Sequence, residues 1–246
     1  MPDSPFSGPA DFTLGVLARC PTSGALGAAV ASSTVAAASR CFLVDGAVGA
    51  VLVMAFTNVH LGALAIKLLR DTLEAEEIFA LLRQHDRHFA YRQVAILPAG
   101  GEGRAFSGER TPIWSGAMAD GDRAVLANGL ADGAALVAAE RALDSGDSLE
   151  RRLVAALKAG AACLRPEAEV RSAGLYVGVP DGPRRADLRV DMAHGVAGGA
   201  ADNAIGQLCA AVETYEPLIS YYQALPDDPD IGSWRDWSAR AEAGRA

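Results

Sequence analysis

The sequence contains few cysteines and no close pair of them. Cys20, Cys41, Cys163 and Cys209 are widely separated, and none belongs to a C-x-x-C motif. Because the histidines do not accompany them at ligand spacing, we expect no metal site. The glycine-rich residues 100–103 are too short for a nucleotide fingerprint, so we expect no cofactor either. Such isolated thiols are typical of a reduced, cytoplasmic protein.

The chain also lacks an excess of positive charge. It has 22 Lys and Arg against 30 Asp and Glu, which gives a net charge of −8. Nucleic acids and anionic membranes bind basic patches, so neither is an expected partner. No basic residues head an apolar leader at the start of the sequence. Residues 1–11 are instead rich in Pro, Ser and Gly, which predicts a flexible arm.

Residues 46–66 carry no formal charge, so a membrane span has to be weighed. Thr57, Asn58 and His60 lie in the middle of this stretch, and several glycines weaken a continuous helix. We therefore expect a buried strand over residues 47–56, a polar corner, and a helix that begins near His60.

Two apolar runs within residues 12–33 predict a β-hairpin. They flank a turn that contains Pro21 and Gly24, residues suited to turn backbone conformations. Both arms are apolar at nearly every position instead of alternating. Strands of this kind are covered on both faces, so the hairpin is expected inside a layered sheet.

The rest of the chain predicts strands and helices in alternating groups. Apolar periodicity indicates helices over residues 60–70, 73–84, 131–143 and 149–164, the last with Asp147 as N-cap and Glu150 completing a capping box. Short strands separated by turns lie between these pairs and after them. This order predicts an α+β fold, with residues 12–224 as one domain and residues 225–246 as a C-terminal tail. We expect Trp234 and Trp237 to dock that tail at a subunit contact of a homo-oligomer.

The order and spacing of several motifs resemble those of a known family. They are Thr13–Arg19 with Pro21 and Gly24, residues 26–32, 46–51, 55–58, 92–95 and 107–109, Trp114 with Gly116, Asn128, and residues 152–160. Together they resemble the domain of unknown function numbered 1028, which is grouped with the N-terminal nucleophile (Ntn) hydrolases. The resemblance implies a four-layer αββα sandwich.

In that family a threonine opens the first strand, and Thr13 takes this position. The resemblance therefore implies Thr13 as the nucleophile of an amide hydrolase, with its own α-amine as the base. That amine is an ordinary peptide amide while residues 1–12 precede it. The alternative is that Thr13 is simply a β-branched strand residue.

Other polar residues interrupt or end the apolar runs. Asn58 and Asn128 are candidate oxyanion donors, and Ser32, Ser33, Thr57 and His60 are candidates for substrate binding. The alternatives are local: Ser32 and Ser33 satisfy backbone groups, Asn58 caps the following helix, and His60 is a half-buried side chain. If the functional interpretation holds, the Asn58 and Asn128 amides should lie within roughly 10 Å of each other in one pocket.

These residues lead to two hypotheses. The first is an Ntn-type amidohydrolase that acts on a small amide or peptide-like substrate. The second is a catalytically inactive protein of the same fold that binds a small molecule or serves as a subunit of a complex. Two departures from the family pattern favour the second hypothesis. Met54 stands where the family has Gln, and residues 126–127 stand where it has Gln-Gly. These departures remove polar groups from the expected site.

Overall fold

The computed structural model of the chain describes residues 11–112, 114–180, 182, 184–193 and 202–243. The flexible arm expected at residues 1–11 falls outside this part, apart from Asp11.

Ten strands and eight α-helices are found in the described residues. The strands are β1 (Thr13–Arg19), β2 (Leu26–Ser32), β3 (Phe42–Asp45), β4 (Gly49–Ala55), β5 (Arg92–Pro98), β6 (Arg104–Ser107), β7 (Ser115–Asp120), β8 (Arg123–Asn128), β9 (Ser172–Gly178) and β10 (Ala186–Val190). The helices are α1 (Ala38–Cys41), α2 (Val59–Arg70), α3 (Ala75–His85), α4 (Ala134–Ala142), α5 (Leu149–Ala161), α6 (Ala204–Tyr215), α7 (Ile219–Ala224) and α8 (Trp234–Ala243).

The strands form two antiparallel sheets. One sheet has six strands in the order β10-β9-β2-β1-β8-β7, and the other has four in the order β3-β4-β5-β6. The hairpin predicted within residues 12–33 is confirmed as β1 and β2, which pair from Thr13 with Ser32 to Arg19 with Leu26. Gly24 in its turn has φ +68°, where a side chain would be strained. The α+β prediction is confirmed.

The sheets are stacked face to face, and helices cover their outer faces. Leu17 of β1 and Leu52 of β4 belong to the core between the sheets. Leu14 of β1 lies on the other face and packs in the core formed with α4, α5 and α6. Val53 of β4 packs in a third core with α2 and α3. Because the central strands are buried on both faces, they show no alternation of apolar and polar residues.

Three details differ from the sequence-based expectations. The N-cap of α5 is Ser148, not Asp147: Ser148 has the extended backbone that a cap requires, and its Oγ accepts from the Arg151 N–H at 3.3 Å. Both residues are good cap formers, so tertiary placement decided between them. The short edge strand β3 was not expected, and the strand predicted over residues 47–56 is the shorter β4.

The C-terminal tail packs against α7. Tyr221 Oη donates to the Gly232 carbonyl at 3.0 Å, and its ring lies 6.1 Å from that of Trp237. Trp234, in contrast, is 44% exposed. Only one of the two tryptophans expected to dock the tail therefore makes a ring contact with α7.

None of the helices in the described part of the chain has the length and apolarity that crossing a membrane would need.

Candidate functional site

Five polar side chains stand side by side at one end of the six-stranded sheet. In order of cross-strand pairing they are Ser115, Asn128, Thr13, Ser32 and Ser172. Directly paired residues place their side chains on the same face of a sheet. This face points towards the four-stranded sheet, because Leu17 and Leu126 lie on the same face of their strands and belong to the core between the sheets. The fold thus collects four hydroxyls and an amide at one end of its inner layer.

Two hydroxyls of this row, those of Thr13 and Ser32, begin a chain of hydrogen bonds that leads out of the row. Thr13 Oγ1 lies 2.9 Å from Ser32 Oγ, and Ser32 Oγ lies 2.9 Å from Thr34 Oγ1. Arg40 continues the chain, since its guanidinium donates to Thr34 Oγ1 at 2.7 Å and to the carbonyls of Val35 and Ala36 at 2.9 Å. A fixed positive charge therefore lies three hydrogen bonds from the Thr13 hydroxyl.

The carbonyl of Phe12 points at the same hydroxyls. It accepts from the Ser33 N–H at 3.1 Å and from the Ser32 hydroxyl at 3.0 Å, and Ser33 Oγ lies 3.3 Å away. When Ser32 donates to this carbonyl, the Thr13 hydroxyl donates to Ser32. The lone pairs of Thr13 Oγ1 are then free, and this oxygen can act as a nucleophile. The peptide that joins Phe12 to Thr13 is thus polarised at its oxygen, beside a hydroxyl.

Asn128 is held by a residue of the opposite sheet. Its Nδ2 donates to Gln93 Oε1 at 2.8 Å. Gln93 is fully buried, and its Nε2 in turn lies within 3.0 Å of Ser107 Oγ and of the carbonyls of Gly116 and Ala127. The Asn128 amide therefore forms a hydrogen bond that links the two sheets.

Thr57 follows β4 and lies next to Cys41. Its Oγ1 is 4.0 Å from the Cys41 Sγ. Burial raises the pKa of the Cys41 thiol, while the nearby Arg40 charge and the Thr57 contact oppose that rise in part. Cys41 is thus kept as a neutral thiol and is a poor nucleophile at neutral pH.

Asn58 serves as the N-cap of α2. Its Oδ1 accepts from the His60 N–H at 3.2 Å, and its Nδ2 donates to Asp86 Oδ2 at 3.2 Å. Asp86 also accepts from Arg92 Nε at 2.9 Å and from the His88 N–H at 2.9 Å. The His60 side chain is exposed. Asn58 thus takes the capping role that was its structural alternative, and this network joins α2, α3 and β5.

The two asparagines face different layers. Asn58 shares Asp86 with Arg92, whereas Asn128 bonds to Gln93, and these two β5 residues are adjacent. Neighbouring residues of a strand point to opposite faces of the sheet. Asn58 therefore belongs to the helix-covered side of β5 and Asn128 to the inner side. The structure brings Asn128, Thr13 and Ser32 together in one row, but not Asn58 with them.

Strained backbone borders the polar row. Among the described residues, four non-glycine residues have positive φ, and three of them adjoin this end: Ala36 at 52°, Ala55 at 63° and Trp114 at 28°. Ala36 accepts from Arg40, Ala55 follows Met54, the partner of Gln93, and Trp114 precedes Ser115. Such conformations cost of order 1–3 kcal/mol each and are concentrated at functional sites.

Sequence reasoning did not single out Gln93, Ser107, Ser115 or Ser172 as site residues. Gln93 follows Arg92 at the start of β5, directly before the apolar run, and a polar residue that is buried with such a run needs a partner across the core. The serines carry no such signal, because their alignment depends on the register of strands that are distant in sequence. No group of three His, Cys, Asp or Glu side chains that could hold a metal ion occurs among the residues described here.

The fold and the site define a two-sheet α+β protein with a hydroxyl-lined row at one end of its inner layer. The chain belongs to the family described as "Family of unknown function (DUF1028)", which matches residues 13–214. The matched region therefore begins at Thr13 itself, the first residue of β1. A comparison with curated proteins found no match.

A solved structure resembles this chain over most of its length. It is the crystal structure of protein SPO2555 from Silicibacter pomeroyi, a protein of the same family. The two chains are 28% identical, with a TM-score of 0.74, and the alignment covers 92% of this chain and 90% of that one.

Proposed function

We propose that this protein is an amide hydrolase of the Ntn type, with Thr13 as its nucleophile and a small amide or peptide-like molecule as its substrate. The observation that carries the proposal is the Phe12 carbonyl. It is held by the Ser33 N–H and the Ser32 hydroxyl, and Ser32 Oγ lies 2.9 Å from the Thr13 hydroxyl. Two donors on a carbonyl oxygen stabilise the charge that develops when a hydroxyl attacks its carbon.

The chemistry begins with the chain's own peptide bond. Thr13 Oγ attacks the Phe12 carbonyl carbon, the Phe12–Thr13 C–N bond breaks, and the hydroxyl proton passes to the departing nitrogen. The products are an ester on Oγ and a free amine on Thr13. Water then hydrolyses the ester, which releases residues 1–12 as a carboxylic acid and restores the hydroxyl. The new α-amine has an ordinary pKa of about 8 and can act as the base when the Thr13 hydroxyl attacks a substrate amide. Before this cleavage, the Thr13 nitrogen is an amide without basicity.

The layering supports the same assignment. Helices cover both outer faces of two stacked antiparallel sheets, as in the αββα sandwich of Ntn hydrolases. Thr13 opens a central strand of one sheet, with its side chain turned to the other sheet. A nucleophile in this position has neighbours on both sides to orient it.

A second candidate function is a small-molecule binder that stays uncleaved. The observation that favours it is the burial of Phe12, which is 3% exposed and packs in the core next to α4. Its N–H also donates to Ser33 Oγ at 2.9 Å. Loss of residues 1–12 would remove these contacts, so the uncleaved chain is well held in place.

The intact mass of the purified chain decides between the two candidates. The hydrolase predicts a species that starts at Thr13 in the wild type and in Thr13→Ser, and a full-length chain in Thr13→Ala. Thr214→Ala, at an exposed position on α6, is the matched control and should be cleaved like the wild type. A wild-type chain that stays full length on long incubation supports the binder and removes the amine-based mechanism. Light scattering on the same sample tests the predicted homo-oligomer.

A further inference from the structure

The residue before the nucleophile is the first acyl group that the proposed hydrolase meets. If Thr13 attacks the Phe12 carbonyl, the position of Phe12 is a productive position for an acyl residue. A later substrate must place its carbonyl carbon at the same distance from the same hydroxyl. The contacts of Phe12 therefore describe what the site accepts on the acyl side.

The backbone of Phe12 is held at both its polar groups. Its N–H donates to Ser33 Oγ at 2.9 Å, and its carbonyl accepts from the Ser33 N–H at 3.1 Å and the Ser32 hydroxyl at 3.0 Å. These bonds continue the pairing of β1 with β2 by one residue. They select an acyl residue that carries an N–H, as in a peptide or an N-acylated amino-acid amide.

The side chain of Phe12 lies on the opposite face from the Thr13 hydroxyl. It packs against Leu130, Ala135, Leu164 and Ala168 in a cleft that the exposed residues Asp132 and Arg165 also line, and no more than 3% of Phe12 is exposed. These four neighbours are apolar, and two of them are small. The space they leave fits a flat aromatic or large aliphatic side chain, whereas a charged side chain would be desolvated there.

From these contacts we infer that the Phe12 seat, defined by Leu130, Ala135, Leu164 and Ala168, is the acyl-side subsite of the enzyme. The substrates are N-acylated amides or peptides whose acyl residue has an aromatic or large aliphatic side chain. This inference rests on the proposed function. In each turnover a Thr13 Oγ–acyl bond forms, the amine leaves with a proton from the Thr13 ammonium, and water releases the acid.

The first test compares acyl residues on the chain that starts at Thr13. Aminocoumarin amides of N-acetylated Phe, Leu, Gly, Asp and Lys are supplied, and kcat/KM is measured. The kcat/KM of the Phe and Leu amides should exceed that of the Asp and Lys amides by at least about tenfold.

A variant that narrows the seat tests the same contacts. In Ala135→Leu the ratio of kcat/KM for the Phe amide to that for the Gly amide should fall by about tenfold. The control Ala210→Leu, at an exposed position on α6, should keep the wild-type ratio. Turnover that ignores the acyl side chain, or an unchanged ratio in Ala135→Leu, overturns the inference while the proposed function stands.

The second test does not depend on cleavage. Thr13→Ala holds the chain intact, and Thr13→Ala with Phe12→Gly empties the seat. Toluene, which matches the Phe side chain, should raise the Tm of the double variant and leave that of Thr13→Ala unchanged, because an apolar cavity binds such ligands. A double variant that toluene does not stabilise overturns the inference. Absence of turnover with every amide, the glycine amide included, counts against the proposed function. The toluene result then shows separately whether the seat binds an aromatic group.

Discussion

Asn128 Nδ2 donates a 2.8 Å hydrogen bond to Gln93 Oε1, and this bond joins the two stacked sheets. Gln93 lies on β5 of the four-stranded sheet and is fully buried, while Asn128 ends β8 of the six-stranded sheet. The Gln93 amide also donates to the Ala127 carbonyl at 2.9 Å, so the same side chain holds both Asn128 and the residue before it. The position of Asn128 beside Thr13 thus depends on a residue of the other sheet.

Replacing Gln93 with Leu should destabilise the protein strongly. The leucine fills a similar volume, but the Asn128 amide and the Ala127 carbonyl would lose a buried partner. We expect the free energy of unfolding to fall by about 3 kcal/mol, measured by urea denaturation. Gln84→Leu, at an exposed position on α3, is the matched control and should change it by no more than about 0.5 kcal/mol. Equal stability of the two variants would show that the sheets do not need this bridge.

Asp86 should control stability in acid. Burial alone would raise its pKa, but hydrogen bonds from Arg92, the His88 N–H and Asn58 outweigh burial and lower the pKa from 3.8 to about 2. Since the folded pKa is below the ordinary value, the stabilisation is complete above about pH 4 and is lost as the pH falls towards 2. It amounts to about 2 kcal/mol.

The corresponding experiment is urea unfolding as a function of pH in the wild type and in Asp86→Asn. The variant should be less stable at neutral pH and should lose less stability on acidification. Asp144→Asn is the control, because the exposed carboxylate of Asp144 pairs with Arg123 where water screens the attraction. If the free energy of unfolding of Asp86→Asn fell with acidification as steeply as that of the wild type, Asp86 would not be the group responsible.

Gly49 should not tolerate a side chain. A Cβ at this position would lie 2.6 Å from a methyl group of Leu69 and 2.9 Å from the Leu97 carbonyl oxygen. The backbone oxygen cannot move without breaking the pairing of β4 with β5. Gly49→Val should therefore cost on the order of 1–3 kcal/mol, read as a lowered Tm. Gly100→Val is the matched control, since nothing lies within 4 Å of its Cβ position. A Gly49→Val protein that melts with the wild type would contradict the strand packing.

Cys20 should react with thiol reagents near neutral pH. Burial raises its pKa, but hydrogen bonds with Ser23 and Thr22 prevail and lower it from 9.0 to about 7. Iodoacetamide should alkylate Cys20 with a midpoint near pH 7 and leave Cys41, whose pKa burial raises, unmodified in the folded protein. Peptide mapping by mass spectrometry gives both rates. In Thr22→Ala the Cys20 midpoint should move up, and a midpoint that does not move would reject the role of Thr22.

Much of the fold could be predicted because its signals are local. The turn with Pro21 and Gly24 and the apolar stripe of α2 are each visible within about twenty residues. The edge strand β3 was missed because four residues are too few to show a period. Asn58 shows the same principle, since its cap bond spans two residues and was among the sequence-based alternatives.

The site could be predicted only in part because its contacts are long-range. The Asn128–Gln93 bond spans 35 residues, and Ser172 aligns with Ser32 through strands far apart in the chain. Thr13 and Ser32 were named as candidates, but their direct hydrogen bond follows from the hairpin register, which the turn sequence alone did not determine.

The alignment of the polar row has a consequence for how this protein can change. Every member of the row owes its place to strand register, and a shift of one residue turns a side chain to the opposite face. An insertion or deletion inside β1 would carry the Thr13 hydroxyl from the inner layer to the helix-covered side and leave its neighbours behind. Substitutions can tune this site one residue at a time. Changes of length in the central strands abolish it in a single step, so variation in length is expected to accumulate in the loops at the far end of the sheets.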